Sequence, residues 1–415
     1  MAARELALHG ADVLVLEAGG SFRPFSRRAP RLSPLRHVGL FRPWTLNRVV
    51  AGMNVMRAGR DLFIVRGVAA GGSTAISCGN WVRADRGLAE IGLDLSAEFD
   101  ELDALLRPMP FPRERWRPTT ERLFSAAAEL GLDPRPTPKV VDARRCRACG
   151  LCEVGCATGA RWDASRFLAD AERAGARVRL GGPVQRVLLE GGHVRGVEIA
   201  GSREMIHADL VVLAAGGIGT ARILRASGLA VADRLWEDIV LTVGGRLPQA
   251  RQLDEPPMVW YARREGYILS PYVDLLSHFI HRPWRGVPLR DRVGLMVKLA
   301  DAANGRIGED GRVAKELSEA DRARLAEASA VAREVLARAG VGGPYVDGVL
   351  HGGHLGGTVP LRREDVASMR PAGLPDGLWV ADLSLVPESQ GLPTMETTAA
   401  IALRVARHII ADSGR

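Results

Sequence analysis

Residues 2–20 read AARELALHGADVLVLEAGG and indicate the fold class of this chain. The stretch predicts a helix over Ala2–Leu8, a turn at His9-Gly10 and a buried strand over Asp12–Leu16. That order is the second half of a dinucleotide-binding βαβ unit, in which an acid at the end of the second strand accepts hydrogen bonds from the ribose hydroxyls. Glu17 is predicted for that role.

The first half of such a unit would lie before Met1. It comprises the first strand and a G-x-G-x-x-G turn, whose backbone N–H groups and helix dipole hold a pyrophosphate. Either the chain begins late or it lacks this phosphate cradle. The fit of the sequence from Ala2 onwards to a helix within the motif favours the first interpretation.

Two more glycine-rich segments follow predicted strands. The segment Gly67–Thr74 comes after the apolar strand Leu62–Val65 and leads into Asn80, and its glycines would let backbone approach a flat ring closely. The strand Leu210–Ala214 runs into Ala215-Gly-Gly-Ile-Gly-Thr and a helix to about Ser227, a junction that suits a nucleotide. Between them, a hairpin is predicted from Val184–Leu189 and His193–Ile199.

Four of the five cysteines lie within eleven residues, in the ferredoxin-type order C-x2-C-x2-C-x3-C: Cys146, Cys149, Cys152 and Cys156. Tetrahedral sulfur ligation selects zinc or an iron–sulfur cluster, and the spacing favours a cluster such as 4Fe–4S over a structural zinc or a metal-free relic. The fourth ligand is either Cys156 or the distant Cys78. Disulfides are the weakest interpretation, because nothing at the N-terminus resembles a secretory signal.

The composition is that of an ordinary soluble protein long enough for two domains. The chain has 415 residues, 47% of them hydrophobic, and a formal charge of +8. The basic residues are almost all arginine and spread along the chain without a base-stacking pattern, so nucleic-acid binding is not predicted. No apolar run reaches membrane-spanning length. The one dense basic and aromatic stretch, Phe22–Arg48, is predicted as a lid or a docking loop.

In the second half of the chain, predicted strands and a helix replace the glycine-rich motifs, which return near the end of the sequence. Strands are predicted over Met258–Arg263, Tyr267–Tyr272 and Gly294–Ala300, followed by a helix that Ser318 caps together with Asp321. The predicted division is 1–90, 166–235 and 343–415 for the three parts of a dinucleotide-binding domain, 91–140 for a connecting or lid segment, 141–165 for the cysteine-rich loop and 236–342 for a substrate-binding domain.

In this order, the segments resemble the glucose-methanol-choline (GMC) flavoprotein oxidoreductases across nearly the whole chain. The motifs that carry the resemblance are Glu17-Ala-Gly-Gly, Gly71-Gly-Ser-Thr through Asn80, Leu213-Ala-Ala-Gly-Gly-Ile-Gly-Thr, His354-Leu-Gly-Gly-Thr, and Val380-Ala-Asp with Pro393-Thr394. The resemblance implies an α/β fold, with a Rossmann-like FAD-binding domain and a sheet-based α+β substrate domain. It also implies cofactor contacts at Glu17, Gly71, Gly72, Ser73, Asn80, Val184, Ala215, Gly216, Asp382, Pro393 and Thr394.

The resemblance further implies oxidation of a CH–OH group by hydride transfer to FAD, with His354 as the base that takes the hydroxyl proton. The helix beginning near Thr394 would stabilise negative charge on the reduced ring. Where the family has a second polar group, this chain has Pro393, so another side chain such as Glu388 or Glu396 is expected to hold the alcohol.

The expected protein is a cytoplasmic dehydrogenase that acts on a small alcohol-type substrate. It would pass electrons through the cysteine cluster to a one-electron carrier protein. The alternatives are a metal-free oxidase that uses oxygen and a degenerate, non-catalytic subunit.

Overall fold

The computed structural model describes residues 1–26, 43–284 and 286–414. Nine α-helices lie within these ranges: α1 (Ala2–Leu8), α2 (Pro43–Val49), α3 (Ser96–Leu106), α4 (Pro118–Glu129), α5 (Ser165–Arg173), α6 (Gly216–Ala226), α7 (Leu275–Ile280), α8 (Glu319–Arg338) and α9 (Met395–Ser413). The strands are β1 (Leu14–Glu17), β2 (Met53–Arg57), β3 (Leu62–Gly67), β4 (Met109–Pro110), β5 (Arg135–Pro136), β6 (Pro138–Lys139), β7 (Arg177–Leu180), β8 (Val184–Glu190), β9 (His193–Ile199), β10 (Met205–His207), β11 (Val211–Leu213), β12 (Val240–Arg246), β13 (Trp260–Arg264), β14 (Tyr267–Pro271), β15 (Arg292–Leu299), β16 (Arg306–Ile307), β17 (Val313–Ala314), β18 (Gly342–Asp347), β19 (Leu350–Gly352) and β20 (Leu378–Val380). The predicted mixed α/β class is confirmed.

Small parallel sheets join segments that are far apart in the sequence. β1 pairs with β7 and β11 pairs with β20, both in parallel. The helix predicted over Ala2–Leu8 is confirmed, and the strand after it ends one residue later than predicted, at Glu17. The predicted hairpin is also confirmed, with Gly191 and Gly192 at its turn in the left-handed region that glycine adopts without strain.

The largest sheet among the described residues has nine strands. Its order is β2-β3-β19-β12-β15-β14-β13-β5, and β18 also pairs with β12. In register, Lys298 lies beside Val240, which lies beside His351. Partners across a ladder project to the same face, and neighbouring strands are about 4.8 Å apart. Lys298 and His351 therefore lie on one face of the sheet, about 10 Å apart at their Cα atoms.

Helices cover the sheets through two large apolar cores. The C-terminal helix α9 is buried along most of its length and packs against α1 and α3. Behind the nine-stranded sheet, α8 packs on β12 and β15, and α4 packs on α8. The predicted capping box at Ser318 and Asp321 is confirmed at the start of α8.

Much of the predicted basic and aromatic loop lies outside the described residues. Phe22–Ser26 and the helix α2 are described at its two ends, and the Phe25 side chain is buried there. Among the helices that the structure describes, none is both long and apolar enough to cross a membrane.

Candidate active site

A cavity of about 200 Å³ lies on the inner face of the nine-stranded sheet. It extends between the sheet, the segment after β3 and the start of α9. Five residues predicted as catalytic or cofactor-binding line it: Ser73, Asn80, His354, Pro393 and Thr394. The structure thus brings together residues that are more than 300 positions apart in the sequence.

His354 lies in the wall of this cavity and is held from behind by two charged side chains. Its Nδ1 is 3.0 Å from Oδ2 of Asp238 and 2.7 Å from Nζ of Lys298. Burial and the Lys298 charge lower the pKa of the imidazole below its usual value, against the opposing effect of Asp238. A neutral imidazole is the form that can take up a proton.

Lys298 projects from β15, a strand whose eight residues are all buried. Its ammonium donates to Oδ2 of Asp238 at 2.8 Å and to the backbone oxygen of Leu392 at 2.5 Å. The Leu392 contact fixes the segment that leads to Pro393 and Thr394. Lys298 therefore ties the sheet, His354 and the start of α9 together.

Asp238 is a buried carboxylate, and both of its oxygens accept hydrogen bonds. Ser389 Oγ and the Gly391 N–H donate to its Oδ1 at 2.5 and 2.7 Å. Burial would raise the pKa of Asp238, but the charges of Lys298 and His354 outweigh it and hold the pKa below its usual value. With Lys298 charged, Asp238 is therefore an anion beneath His354.

Behind Asp238 lies a second buried ion pair. Lys315 lies 2.6 Å from Asp301, whose carboxylate also accepts from the Asp238 N–H at 2.7 Å. Neither Lys315 nor Asp301 lines the cavity. This pair supports the backbone that carries Asp238.

A second set of polar side chains lines the same cavity. Tyr272 donates a hydrogen bond to Glu153, and His351 Nε2 lies 3.5 Å from Oδ1 of Asp274. Burial lowers the pKa of His351, but the Asp274 carboxylate outweighs it and raises the pKa above its usual value. The His351 Nε2 atom is buried without a hydrogen-bond partner. It is available to a polar group of a bound molecule.

The remaining lining is mostly apolar. It includes Leu46, Val49, Val50, Met53, Leu275, Leu276 and Phe279. Of the described lining residues, Lys298 is the one lysine or arginine, and its donors are directed at Asp238, His354 and Leu392. The described part of the cavity is therefore suited to a largely apolar molecule with a hydroxyl group.

The other predicted cofactor residues lie outside the cavity, in two groups. Glu17 ends β1 and its Oε1 accepts from the Gly19 N–H at 2.7 Å, while its backbone oxygen accepts from Gly182, two residues before Val184. Asp382 accepts from the Gly216 N–H at 2.8 Å and from Thr220 at 2.6 Å, next to Ala215. The Asp382 carboxylate thus binds donors in the first turns of α6.

Three of the glycines leave open space beside the backbone. A side chain added at Gly20, Gly72 or Gly216 would meet no protein atom within 4 Å. Gly71 differs, since a Cβ there would lie 2.9 Å from the Ser165 backbone nitrogen. Gly71 allows close chain packing, while the open glycines allow another molecule to approach the backbone.

Neither Glu388 nor Glu396 supplies the expected second polar group. Glu388 lies 3.4 Å from Arg86, and Glu396 lies beside Arg83, where burial raises its pKa to about 8. Neither lines the cavity. The polar partners of His354 are Lys298 and Asp238, which the sequence reasoning missed.

One sequence signal points to Lys298. Only three of the 56 basic residues are lysines, at positions 139, 298 and 315, and all three are buried. A chain that uses arginine almost everywhere else keeps lysine at three interior positions. Lysine in the strand VGLMVKLA was therefore a candidate for a specific role.

The prediction of a metal centre at Cys146, Cys149, Cys152, Cys156 and Cys78 is not supported. The first four line one cavity of about 120 Å³, while Cys78 lines the larger cavity instead. All five are free thiols. Among the described residues, no group of three or more His, Cys, Asp or Glu side chains is arranged to hold a metal ion.

The family model of the GMC oxidoreductases matches residues 46–249. Over that segment, the chain is similar to the GMC oxidoreductases. It is 32% identical over 257 residues to an uncharacterized GMC-type oxidoreductase of Mycobacterium tuberculosis. The alignment covers 58% of this chain and 39% of that protein. The chain thus aligns with well under half the length of this mycobacterial relative. It is also 26% identical over 351 residues to an uncharacterized protein of Methanocaldococcus jannaschii, with 82% and 86% of the two chains covered.

A solved structure has the same fold. The crystal structure of pyridoxine 4-oxidase from Mesorbium loti superposes with a TM-score of 0.70 at 18% sequence identity, covering 98% of this chain and 96% of that one. The chain therefore has the Rossmann-like architecture that the sequence predicted.

The family implies FAD, and the residues present fit a flavin nucleotide in two respects. The open backbone at Gly20, Gly72 and Gly216 leaves room for close approach of a cofactor. The first turn of α9 has no side-chain cap, and Thr394 and Met395 at its start line the cavity. The positive end of this 19-residue helix is thus directed at the cavity, where an electron-rich ring would be stabilised.

Proposed function

We propose that this chain is an FAD-dependent oxidoreductase that oxidises a CH–OH group, with His354 as the base. The observation that supports it is the position of His354, which shares one cavity with Asn80 and Thr394 while Asp238 and Lys298 hold its Nδ1. Bound FAD would supply the hydride acceptor. The protein's part is to position the alcohol and to remove its proton.

Each part of the cavity has a role in that chemistry. Nε2 of His354, the ring nitrogen that neither Asp238 nor Lys298 contacts, would accept the hydroxyl proton. The start of α9 would stabilise negative charge on the reduced ring. The apolar lining would exclude water and contact the body of the substrate.

The proposal is tested by anaerobic titration of the FAD-loaded protein with a panel of primary alcohols. Bleaching of the flavin absorbance near 450 nm, roughly the usual position of that band, would show alcohol oxidation. Peroxide release on adding air would favour an oxidase over a dehydrogenase. A loaded protein that no alcohol reduces would favour the non-catalytic alternative.

Neutral alcohols are expected to be better substrates than anionic ones. The cavity presents Asp274 and Glu153, and Lys298, the one lysine or arginine among its described lining residues, is fully engaged. We expect kcat/KM for 4-methylbenzyl alcohol to exceed that for 4-(hydroxymethyl)benzoate by about tenfold or more, since unpaired like charges are disfavoured. Equal values for this matched pair would show that a cation outside the described lining reaches the substrate.

An electron relay through the cysteine-lined cavity remains a prediction. Two buried cations support it, because Lys139 and Arg161 lie close enough to lower the pKa of Cys152. Lys139 donates to Asn80 and to two backbone oxygens, and Arg161 to Ser77 and to backbone oxygens. An anionic thiolate-bound cluster would compensate these charges.

Iron and sulfide analysis of anaerobically prepared protein tests the relay. Because Cys156 lines the cysteine cavity and Cys78 does not, we expect Cys156→Ser to lose the iron and Cys78→Ser to retain it. Wild-type protein prepared without air and free of iron would remove the relay from the proposal.

A further inference from the structure

Three polar atoms form a closed triangle behind the catalytic wall of the cavity. Nζ of Lys298, Nδ1 of His354 and Oδ2 of Asp238 are separated by 2.7, 2.8 and 3.0 Å. A ring nitrogen of a neutral histidine either donates its proton or accepts one. The partner that Nδ1 uses therefore decides whether Nε2, the nitrogen proposed to accept the hydroxyl proton, carries a proton.

The contacts of Lys298 are satisfied in two protonation states. A charged Lys298 donates to Asp238, to the Leu392 oxygen and to the bare Nδ1, which places the imidazole proton on Nε2. A neutral Lys298 donates to the two oxygens and accepts from Nδ1–H, which leaves Nε2 free to act as a base. The same positions serve both states, so a proton can pass between Nδ1 and Nζ without movement of either side chain.

We propose that Lys298 is the final acceptor of the substrate proton, with His354 as the relay. This inference rests on the proposed alcohol oxidation. As the C–H hydride leaves the alcohol for the oxidised flavin, the hydroxyl proton passes to Nε2 of His354, and the Nδ1 proton passes to Nζ of Lys298. The alcohol becomes a carbonyl compound, and the protein ends with a Lys298 cation beside the Asp238 anion. His354 is neutral before and after the step.

The choice of lysine over arginine fits this role. Arginine stays protonated at any working pH, whereas a buried lysine can lose its proton. Neither of the other two lysines contacts a group that could pass it a substrate proton from the cavity: Lys139 contacts backbone and amide oxygens, and Lys315 contacts Asp301, the Ala302 oxygen and Asn304, with neither Lys315 nor Asp301 in the cavity lining. Among the three, Lys298 alone contacts an imidazole.

The surrounding charges set the pH at which the relay is ready. Asp238 and His354 contact Lys298 directly, Asp301 acts on it from the next layer, and Lys315 and Glu237 lie behind Asp301. Burial lowers the pKa of Lys298, and the two aspartates oppose that shift. Because the relay needs neutral Lys298, kcat is expected to rise as the pH increases through its pKa.

The first test compares Lys298→Arg with a matched change, Lys315→Arg. Arginine at position 298 keeps a cation beside Asp238 but cannot accept a proton. We expect kcat to fall about 100-fold with little change in KM, and the rise of kcat with pH to disappear. Lys315→Arg is expected to keep the rise. A Lys298→Arg protein with wild-type kcat and the same pH profile would overturn the proposal.

The second test needs no turnover and follows the tautomer of His354 by ¹⁵N NMR of histidine-labelled protein. His354→Gln identifies its signal among those of the nine histidines. In wild type, the proton should move from Nε2 to Nδ1 as the pH rises, while the ring stays neutral. Lys298→Met should keep the proton on Nδ1, and Lys298→Arg should keep it on Nε2.

The two tests separate the inference from the proposed function. A wild-type imidazole that titrates to imidazolium without a tautomer exchange would exclude the Lys298 relay, even if alcohols are oxidised. A tautomer exchange in a protein that reduces its flavin with no alcohol would leave the relay in place and contradict the proposed function.

Discussion

His354→Gln is expected to lower the rate of alcohol-dependent flavin reduction by about 10²- to 10⁴-fold, the usual contribution of a general base. Glutamine can still bond to Asp238 and Lys298 through its amide, but it cannot accept a proton at neutral pH. Binding of the alcohol and of FAD should change little, because the cavity keeps its shape. The measurement is stopped-flow reduction under anaerobic conditions at saturating alcohol.

His351→Gln provides the comparison for that experiment. His351 lines the same cavity, three residues earlier in the sequence, but contacts neither Lys298 nor Asp238 in the described structure. We expect this variant to raise KM more than it lowers kcat. If both histidine variants lost kcat equally, the assignment of the base to His354 would be wrong.

Gly357→Ala is expected to lower the free energy of unfolding by about 3 kcal/mol or more, the sum of backbone strain and overpacking. Gly357 has a φ of 81°, and a Cβ there would lie 2.4 Å from the Arg234 oxygen and 2.7 Å from Cδ1 of Trp236. Trp236 is fully buried, and its indole N–H donates to the Val386 oxygen. The tryptophan therefore cannot yield without losing that hydrogen bond. Urea unfolding, followed by circular dichroism, measures the loss.

Gly373→Ala separates the two causes. Gly373 has a similar φ of 86°, but a Cβ there meets nothing within 4 Å. This variant should lose about 1 kcal/mol, from backbone strain alone. Equal losses at the two positions would mean that contact with Trp236 and Arg234 does not explain the glycine of the H-x-x-G-T motif.

Local signals in the sequence predicted much of the fold. The capping box at Ser318 depends on residues within one helical turn, and the hairpin depends on two adjacent glycines, so both could be located from the sequence. The spacing of the cysteines likewise brought four of them to one cavity. Whether they bind a metal depends on side-chain positions that spacing does not determine.

The partners of His354 could not be predicted in the same way. Asp238 and Lys298 are 116 and 56 residues away from it in the sequence, and only the pairing of β12 with β15 brings them together. The sequence showed that Pro393 stands where the family has a second polar group. Glu388 and Glu396, which are close to it in the sequence, were therefore the expected substitutes. The structure instead gives His354 partners from other parts of the nine-stranded sheet, since tertiary contacts and not sequence neighbours decide what surrounds a side chain.

Both β19 and β20 pair with strands made much earlier in the chain, β19 with β3 and β20 with β11. During synthesis on the ribosome, β3 and β11 therefore keep an unpaired edge until β19 and β20 emerge. Exposed strand edges promote aggregation of incomplete chains. Recovery of folded protein should thus depend on expression conditions that protect nascent chains, such as low temperature or added chaperones.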